Sequence, residues 1–166
     1  KEIKQHIQNI YAFCRYGDDL GDDAPFPPNE RKLLLEEWMK DLERAFNSES
    51  QPWDGEPRHP ILRAVSHTAS TFKIPITPFK RLIQAFIFDQ EKNRYSNYQE
   101  LKNYCIHSAD PVGHLFLYIY GYNDEDLQKI SDYTCTALQL ANHWQDVSRD
   151  LEQDRIYMPI EDMERF

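Results

Sequence analysis

Two short stretches of this chain carry carboxylates at a spacing suited to metal chemistry. In YAFCRYGDDLGDD, Tyr11, Arg15, Asp18 and Asp22 fall within roughly 60° of one another if the segment is an α-helix. In QLANHWQDVSRD, Gln139, Asn142, Asp146 and Asp150 fall within roughly 80° by the same construction. Each helix therefore presents two aspartates four residues apart, beside further polar groups. An ordinary solvated face is the competing explanation, and three physical costs count against it. Asp and Asn are poor mid-helix residues, where a solvated face favours Glu, Lys or Gln. Aspartates at i and i+4 repel one another, with no lysine here to relieve them. Both pairs also sit near helix C-termini, where the macrodipole disfavours negative charge.

A divalent cation reverses all three costs. Magnesium prefers oxygen ligands, keeps several waters, and typically binds through one or two carboxylates together with phosphate oxygens. Two facing DxxxD helices are expected to form a negative cage completed by Mg²⁺ and a diphosphate. Arg15, Arg149 and Arg155 could donate to the phosphate oxygens. For Arg149 the alternative is ordinary surface pairing with nearby Asp and Glu. Other site types are absent: the chain has no HExxH, GxGxxG, P-loop or GxSxG. Glu56 and His59 have the ExxH spacing of di-iron bundles, but Pro57 and Pro60 make a regular helix there implausible. His107, His114 and His143 share no ligand spacing, although His143 lies beside Asn142.

The elements that must carry these residues read as helices. Ten prolines punctuate the chain and leave proline-free windows at 1–24, 29–51, 61–74, 79–110 and 112–158. Gly121, Asn123 and Asp124 divide the last window, and Asp124 is the expected N-cap of a helix over about 125–152. The 79–110 window is expected to break near Arg94–Ser96, with Ser96 as the next cap. In the last helix Leu127, Ile130, Thr134, Ala137, Ala141, Trp144, Ser148 and Leu151 repeat in steps of three and four, forming an apolar stripe nearly opposite the acidic one. The segment 47–60 is the most irregular. Strand-like alternation, repeats and low-complexity tracts are absent. The expectation is an all-α single domain over 1–166, with six or seven helices.

Bulk properties agree with that reading. The 166 residues carry a net charge of −9 and no basic run, which argues against nucleic acid as a partner. An anionic substrate is repelled by such a chain unless a cation stands between them. Ten Tyr, nine Phe and three Trp suit both a core and a pocket for a long apolar ligand. Cys14, Cys105 and Cys135 are odd in number and widely spaced, as in a reduced cytoplasmic protein. The longest apolar stretch, around Leu115–Tyr120, is too short to span a bilayer.

The two acidic motifs, the second running on as QLANHWQDVSRDLEQDRIYMP, resemble the aspartate-rich motifs of the squalene/phytoene synthase family. YCIHSADPVG between them is similar to that family's YC…A…VG signature, and the likeness runs from the first residue to the last. The resemblance implies an all-α isoprenoid synthase bundle. It implies that Asp18, Asp22, Asp146 and Asp150 hold Mg²⁺ and diphosphate and that Arg15 contacts the diphosphate. Tyr11, Tyr104, Gln139 and Asn142 line the site, and Asp89 faces the cavity from a mid-chain helix.

Within the family, the YCxxSAxPVG form, the tripeptide Trp144–Asp146 and the pair Arg94–Tyr95 lean towards members that convert presqualene diphosphate and water to hydroxysqualene. That reaction needs no NADPH. Sister members join two farnesyl or geranylgeranyl diphosphates head to head into presqualene diphosphate, squalene or phytoene. Catalytically silent scaffold relatives form a third class, but these typically lose the aspartates, and all four are present here. The greasy product makes peripheral contact with the inner membrane a secondary expectation.

Three positions depart from the family pattern: Gln145 where Arg is common, His143 where an apolar residue is usual, and Asp110 where a small residue or Asn is usual. The family also has an upstream helix and roughly a further third of the fold after RIYxP. The chain therefore reads as a fragment, expected to leave apolar surface open.

Overall fold

The structure, a computed structural model, describes residues 2–47 and 59–166. Most of the irregular 47–60 segment, Glu56 and the end of the 29–51 window lie outside the described residues. The elements run α1 (Glu2–Asp18), a π-turn (Asp19–Asp23), α2 (Pro28–Asn47), α3 (Pro60–Phe72), α4 (Thr77–Glu91), α5 (Tyr98–Ser108), α6 (Asp110–Ile119), α7 (Glu125–Gln145), α8 (Val147–Glu152) and α9 (Ile160–Arg165). Among the described residues the one β pairing is an isolated parallel bridge between Arg94 and Ile156. The architecture is all-α, as the proline spacing predicts.

Prolines set the helix starts. Pro28 and Pro60 open α2 and α3, while Pro78 and Pro111 occupy the second positions of α4 and α6, where a missing N–H costs nothing. Asp124 caps α7, its side chain accepting from the N–H groups of Asp126 and Leu127. Three expectations need correction. Nine α-helices stand among the described residues in place of six or seven, because the chain breaks again at Ala109 and Asp146 and adds a short helix at its end. The cap of α5 is Asn97 and not Ser96: Asn97 accepts from the Glu100 N–H at 2.9 Å, and Glu100 reaches back to the Ser96 N–H. The helix expected to run to about 152 stops at Gln145, where Asp146 leaves helical geometry (φ −96°, ψ 11°) before α8 begins.

The main core joins α1, α2, α3, α4 and α6 through Phe13, Leu35, Trp38, Leu42, Leu62, Phe79, Ile83 and Leu115. A second cluster of Ala85, Tyr95, Leu101, Tyr104, Cys105, Leu140 and Tyr157 ties α4, α5 and α7 to the segment after α8. That segment is laced to the loop after α4: the Ile156 N–H donates to the Asn93 carbonyl and the Ile160 N–H to the Tyr95 carbonyl. Arg94 pairs with Asp154, whose backbone lies in the left-handed region. The Arg94–Tyr95 pair thus anchors the stretch that carries Arg155 and Tyr157.

The α6–α7 contact depends on one glycine. A Cβ on Gly113 would overlap Ser131 Oγ and come within 2.7 Å of Cys135 Sγ. Gly113→Ala is therefore expected to cost about 1–3 kcal/mol, read as a lowered thermal or urea midpoint. Unchanged stability would show that the two helices part without penalty. The apolar stripe of α7 faces outward. Ile130 and Trp144, with Tyr133 and Leu138 beside them, are each more than half exposed, while Leu140 and His143 are the buried residues of that helix. The expected open apolar surface is on this face. No described helix is long and apolar enough to cross a membrane.

Candidate active site

Asp18 ends α1, and the chain then widens into the π-turn that carries Asp22. Such turns occur frequently at functional sites. Arg31 fastens this turn by donating to the carbonyls of Gly21 and Phe26. On the other side, Asp146 sits at the α7–α8 junction in the sparsely populated bridge region that many active-site residues adopt. Its carbonyl accepts from the N–H groups of Arg149 and Asp150. Neither feature follows from uniform helical rotation, yet all four aspartates line one cavity of ≈ 310 Å³.

The cavity brings together Asp18, Asp22, Asp89, Tyr104, Gln139, Asn142, Asp146, Asp150 and Arg155. Three expected residues stand outside its lining, among them Arg149, which is exposed on α8. Tyr11, nearly two helical turns before Asp18, is 68% exposed. Arg15 folds over the carboxylates of its own helix end, with Asp18 at 2.9 Å, Asp19 at 2.6 Å and Asp23 at 3.0 Å. Those neighbours hold its guanidinium above its ordinary pKa. Arg155 is the cation that does reach inside, donating to Asp22 Oδ1 at 2.7 Å. Burial works against its charge, but the bond to Asp22 and the nearby Asp89 outweigh that and hold its pKa up.

The carboxylates repel across the cavity as well as along each helix. Burial raises the Asp18 pKa, and Asp22 adds to the rise. Burial also raises Asp150, with further contributions from Asp146 and, from the opposite wall, Asp22. Among the described residues no three His, Cys, Asp or Glu side chains converge closely enough to hold a metal ion between themselves. Two hard-oxygen pairs facing a shared space suit magnesium, which completes its shell with water and phosphate oxygens.

Below the acidic rim lies a tyrosine–carboxylate network. Asp89 on α4 accepts from the Tyr104 hydroxyl at 2.8 Å and the Tyr157 hydroxyl at 3.1 Å. Burial pushes its pKa up to about 6, against the pull of Arg155 and the two hydroxyl bonds. His143 stacks on Tyr157 at 3.8 Å with a 15° tilt. Burial pushes its pKa down to about 4, so the imidazole is neutral.

Tyr157, His143 and Ser108 line the cavity without having been singled out as site residues by sequence reasoning. The RIYxP string was the available signal for Tyr157. Ser108 had none, because a serine near a helix end is usually a cap or a surface residue. Leu82, Ala85 and Phe86 of α4 supply the apolar wall.

The chain matches the squalene/phytoene synthase family model over residues 1–166. It is 34% identical over 164 residues to a hydroxysqualene synthase of Zymomonas mobilis, covering 98% of this chain and 52% of that protein. It is 31% identical over 168 residues to a chloroplastic phytoene synthase of Daucus carota, covering 98% and 40%. The squalene synthase HpnC of Alicyclobacillus acidocaldarius superposes with a TM-score of 0.86 at 43% identity, over 98% of this chain and 58% of that one. A dehydrosqualene synthase solved with a ligand superposes with a TM-score of 0.81 at 26% identity, over 98% and 54%. The chain spans about half the length of these relatives.

Proposed function

The chain belongs to the squalene/phytoene synthase family, and from that premise we propose that its full-length protein ionises a prenyl diphosphate, converting presqualene diphosphate and water to hydroxysqualene and diphosphate. The observation that carries the reading is the arrangement of Asp18 and Asp22 opposite Asp146 and Asp150 around one cavity. Four mutually repelling carboxylates are costly for the chain alone and suit a cationic ligand. Magnesium would be held by these four residues together with the substrate's own phosphate oxygens, and when bound it neutralises charge on the leaving diphosphate.

The chain's own residues do the rest. Arg155, clamped by Asp22, presents a fixed cation to the phosphate end of the cavity. Leu82, Ala85 and Phe86 offer an apolar surface to the first carbons beyond it. Tyr104 and Tyr157, held by Asp89, bring aromatic faces near the position where positive charge develops. No nicotinamide is required for this outcome.

The test is product identity. Full-length protein given presqualene diphosphate and Mg²⁺ in ¹⁸O-labelled water, without NADPH, is expected to yield an alcohol carrying the label. The phytoene synthase of Daucus carota is nearly as similar as the hydroxysqualene synthase, which keeps a second reading: head-to-head joining of two allylic diphosphates. Conversion of farnesyl diphosphate alone to presqualene diphosphate, with no labelled alcohol from the latter, would establish it instead.

A further inference from the structure

Gln139 lines the cavity, and its amide is oriented by a neighbour that the acidic rim and the tyrosine network leave unused. His143 follows it by one turn of α7, and Gln139 Nε2 lies 3.2 Å from His143 Nε2. An amide nitrogen only donates, so His143 Nε2 accepts and the ring proton sits on Nδ1. The nitrogen end of the amide is thereby held against the imidazole. The other end, Oε1, has no hydrogen-bond partner among the described residues. Three donors of the same cavity are committed elsewhere: the Tyr104 and Tyr157 hydroxyls to Asp89, and Arg155 to Asp22.

We propose that His143 is a positioning residue: by accepting the Gln139 N–H it turns the Gln139 carbonyl oxygen toward the substrate's carbon skeleton, where that oxygen stabilises the carbocation. The inference rests on the functional reading above and deepens it. Gln139 precedes Asp146 by seven residues, about 10 Å along a helix, so it stands well beyond the carboxylates that face the phosphate end. An amide oxygen there repels a diphosphate and attracts a positive carbon. Its stabilisation appears only as the C–O bond breaks and the electron pair leaves with the diphosphate. Such an interaction acts on turnover and not on substrate affinity. Reversed, the same amide would point N–H groups at the cation and oppose its formation.

The imidazole is well placed to set this orientation. His143 is 7% exposed, and it stacks on Tyr157 at 3.8 Å with a 15° tilt, which fixes the ring plane and with it the direction of Nε2. Tyr157 is itself tied to Asp89. Burial keeps the ring neutral, so the Nε2 lone pair is available to the amide. A phenyl ring can stack on Tyr157 in the same way, so His143→Phe removes the acceptor while keeping an aromatic neighbour.

The experiment is a double-mutant cycle on the full-length protein, with diphosphate release from presqualene diphosphate and Mg²⁺ as the readout. His143→Phe is expected to lower kcat by about tenfold while KM changes by less than about twofold. In a Gln139→Leu background the same substitution is expected to change kcat by less than about twofold, because the group it orients is gone. The second readout is the ¹⁵N spectrum of the His143 ring in wild type, expected to show a protonated Nδ1 and an unprotonated Nε2. A full loss of kcat from His143→Phe in the Gln139→Leu background overturns the proposal, as does an effect carried by KM. A protonated Nε2 also overturns it, since the amide would then turn its oxygen to the ring. If His143→Phe does not fold, the ring-nitrogen assignment decides alone. Wild type that releases diphosphate only from farnesyl diphosphate overturns the functional reading. The cycle run on that substrate still decides the coupling, because that ionisation also develops positive charge on carbon.

Discussion

Asp146→Asn and Asp18→Asn in the full-length protein are each expected to lower diphosphate release by about a hundred- to a thousand-fold, or ~3–4 kcal/mol of transition-state stabilisation. The leaving group develops most of its charge as the carbon–oxygen bond breaks. A site that no longer holds its cation meets that charge with a lattice of carboxylates instead. Folding is expected to move the other way. Asp18 already resists ionisation because it is partly desolvated and faces Asp22, and Asp150 resists it partly because of Asp146. Removing one charge from either pair relieves that repulsion, so the Asn variants should melt no lower than wild type. Loss of turnover with retained or improved stability identifies residues kept for a ligand. Near-normal turnover in both variants would overturn the magnesium assignment, and a lowered melting point would show the aspartates to be structural.

Much of the frame is legible in the sequence because it rests on local chemistry. Prolines forbid helix interiors and favour helix starts, and Asp124 ends a turn with a side chain of the right length to cap α7. The acidic stripes are legible for a different reason: like charges four residues apart repel, a cost that something must repay. The structure nonetheless puts Asp18, Asp22, Asp146 and Asp150 at helix ends and junctions and not mid-helix as the sequence suggests. What local pattern cannot supply is departure from regularity. The π-turn over Asp19–Asp23 and the bend at Asp146 are backbone choices set by packing, and a rotation of 100° per residue passes straight through both. Arg15 shares a helical face with Asp18, yet three nearby carboxylates take up its guanidinium. Arg155, far away in sequence, supplies the cation inside the cavity because the Arg94–Asp154 and Asn93–Ile156 contacts fold its segment across the site. Ser108 is visible only once that fold is known, whereas Tyr157 and His143 carry faint local signals in RIYxP and in the neighbouring Asn142. The outward stripe of α7 carries the same lesson, since periodicity reports a helix with an apolar face but not what lies against that face.

Asp89→Asn is expected to stabilise the full-length protein at alkaline pH and to lose that advantage as the pH falls. Asp89 is half-buried at the cavity wall, and its carboxyl titrates near 6 instead of its ordinary 3.8, chiefly because burial disfavours its charge. A folded-state pKa above the unfolded one means that the neutral form is the one folding favours. The group's contribution is fully present below about pH 4 and is lost as the pH rises through 6, a swing of about 3 kcal/mol. An amide at this position is neutral throughout. The urea midpoint of Asp89→Asn should therefore exceed that of wild type by the most near pH 8, and the two should converge between pH 6 and pH 4. The Asn oxygen can still accept from Tyr104, so the network keeps its stronger hydroxyl bond. Turnover should nonetheless fall, because the charge that orients both tyrosines and supports Arg155 is gone. A stability difference that does not change with pH would mean that Asp89 is ionised in the folded protein at no cost. The tyrosine hydroxyls and Arg155 would then compensate its burial fully, and the network would be a structural one tuned to a fixed negative charge.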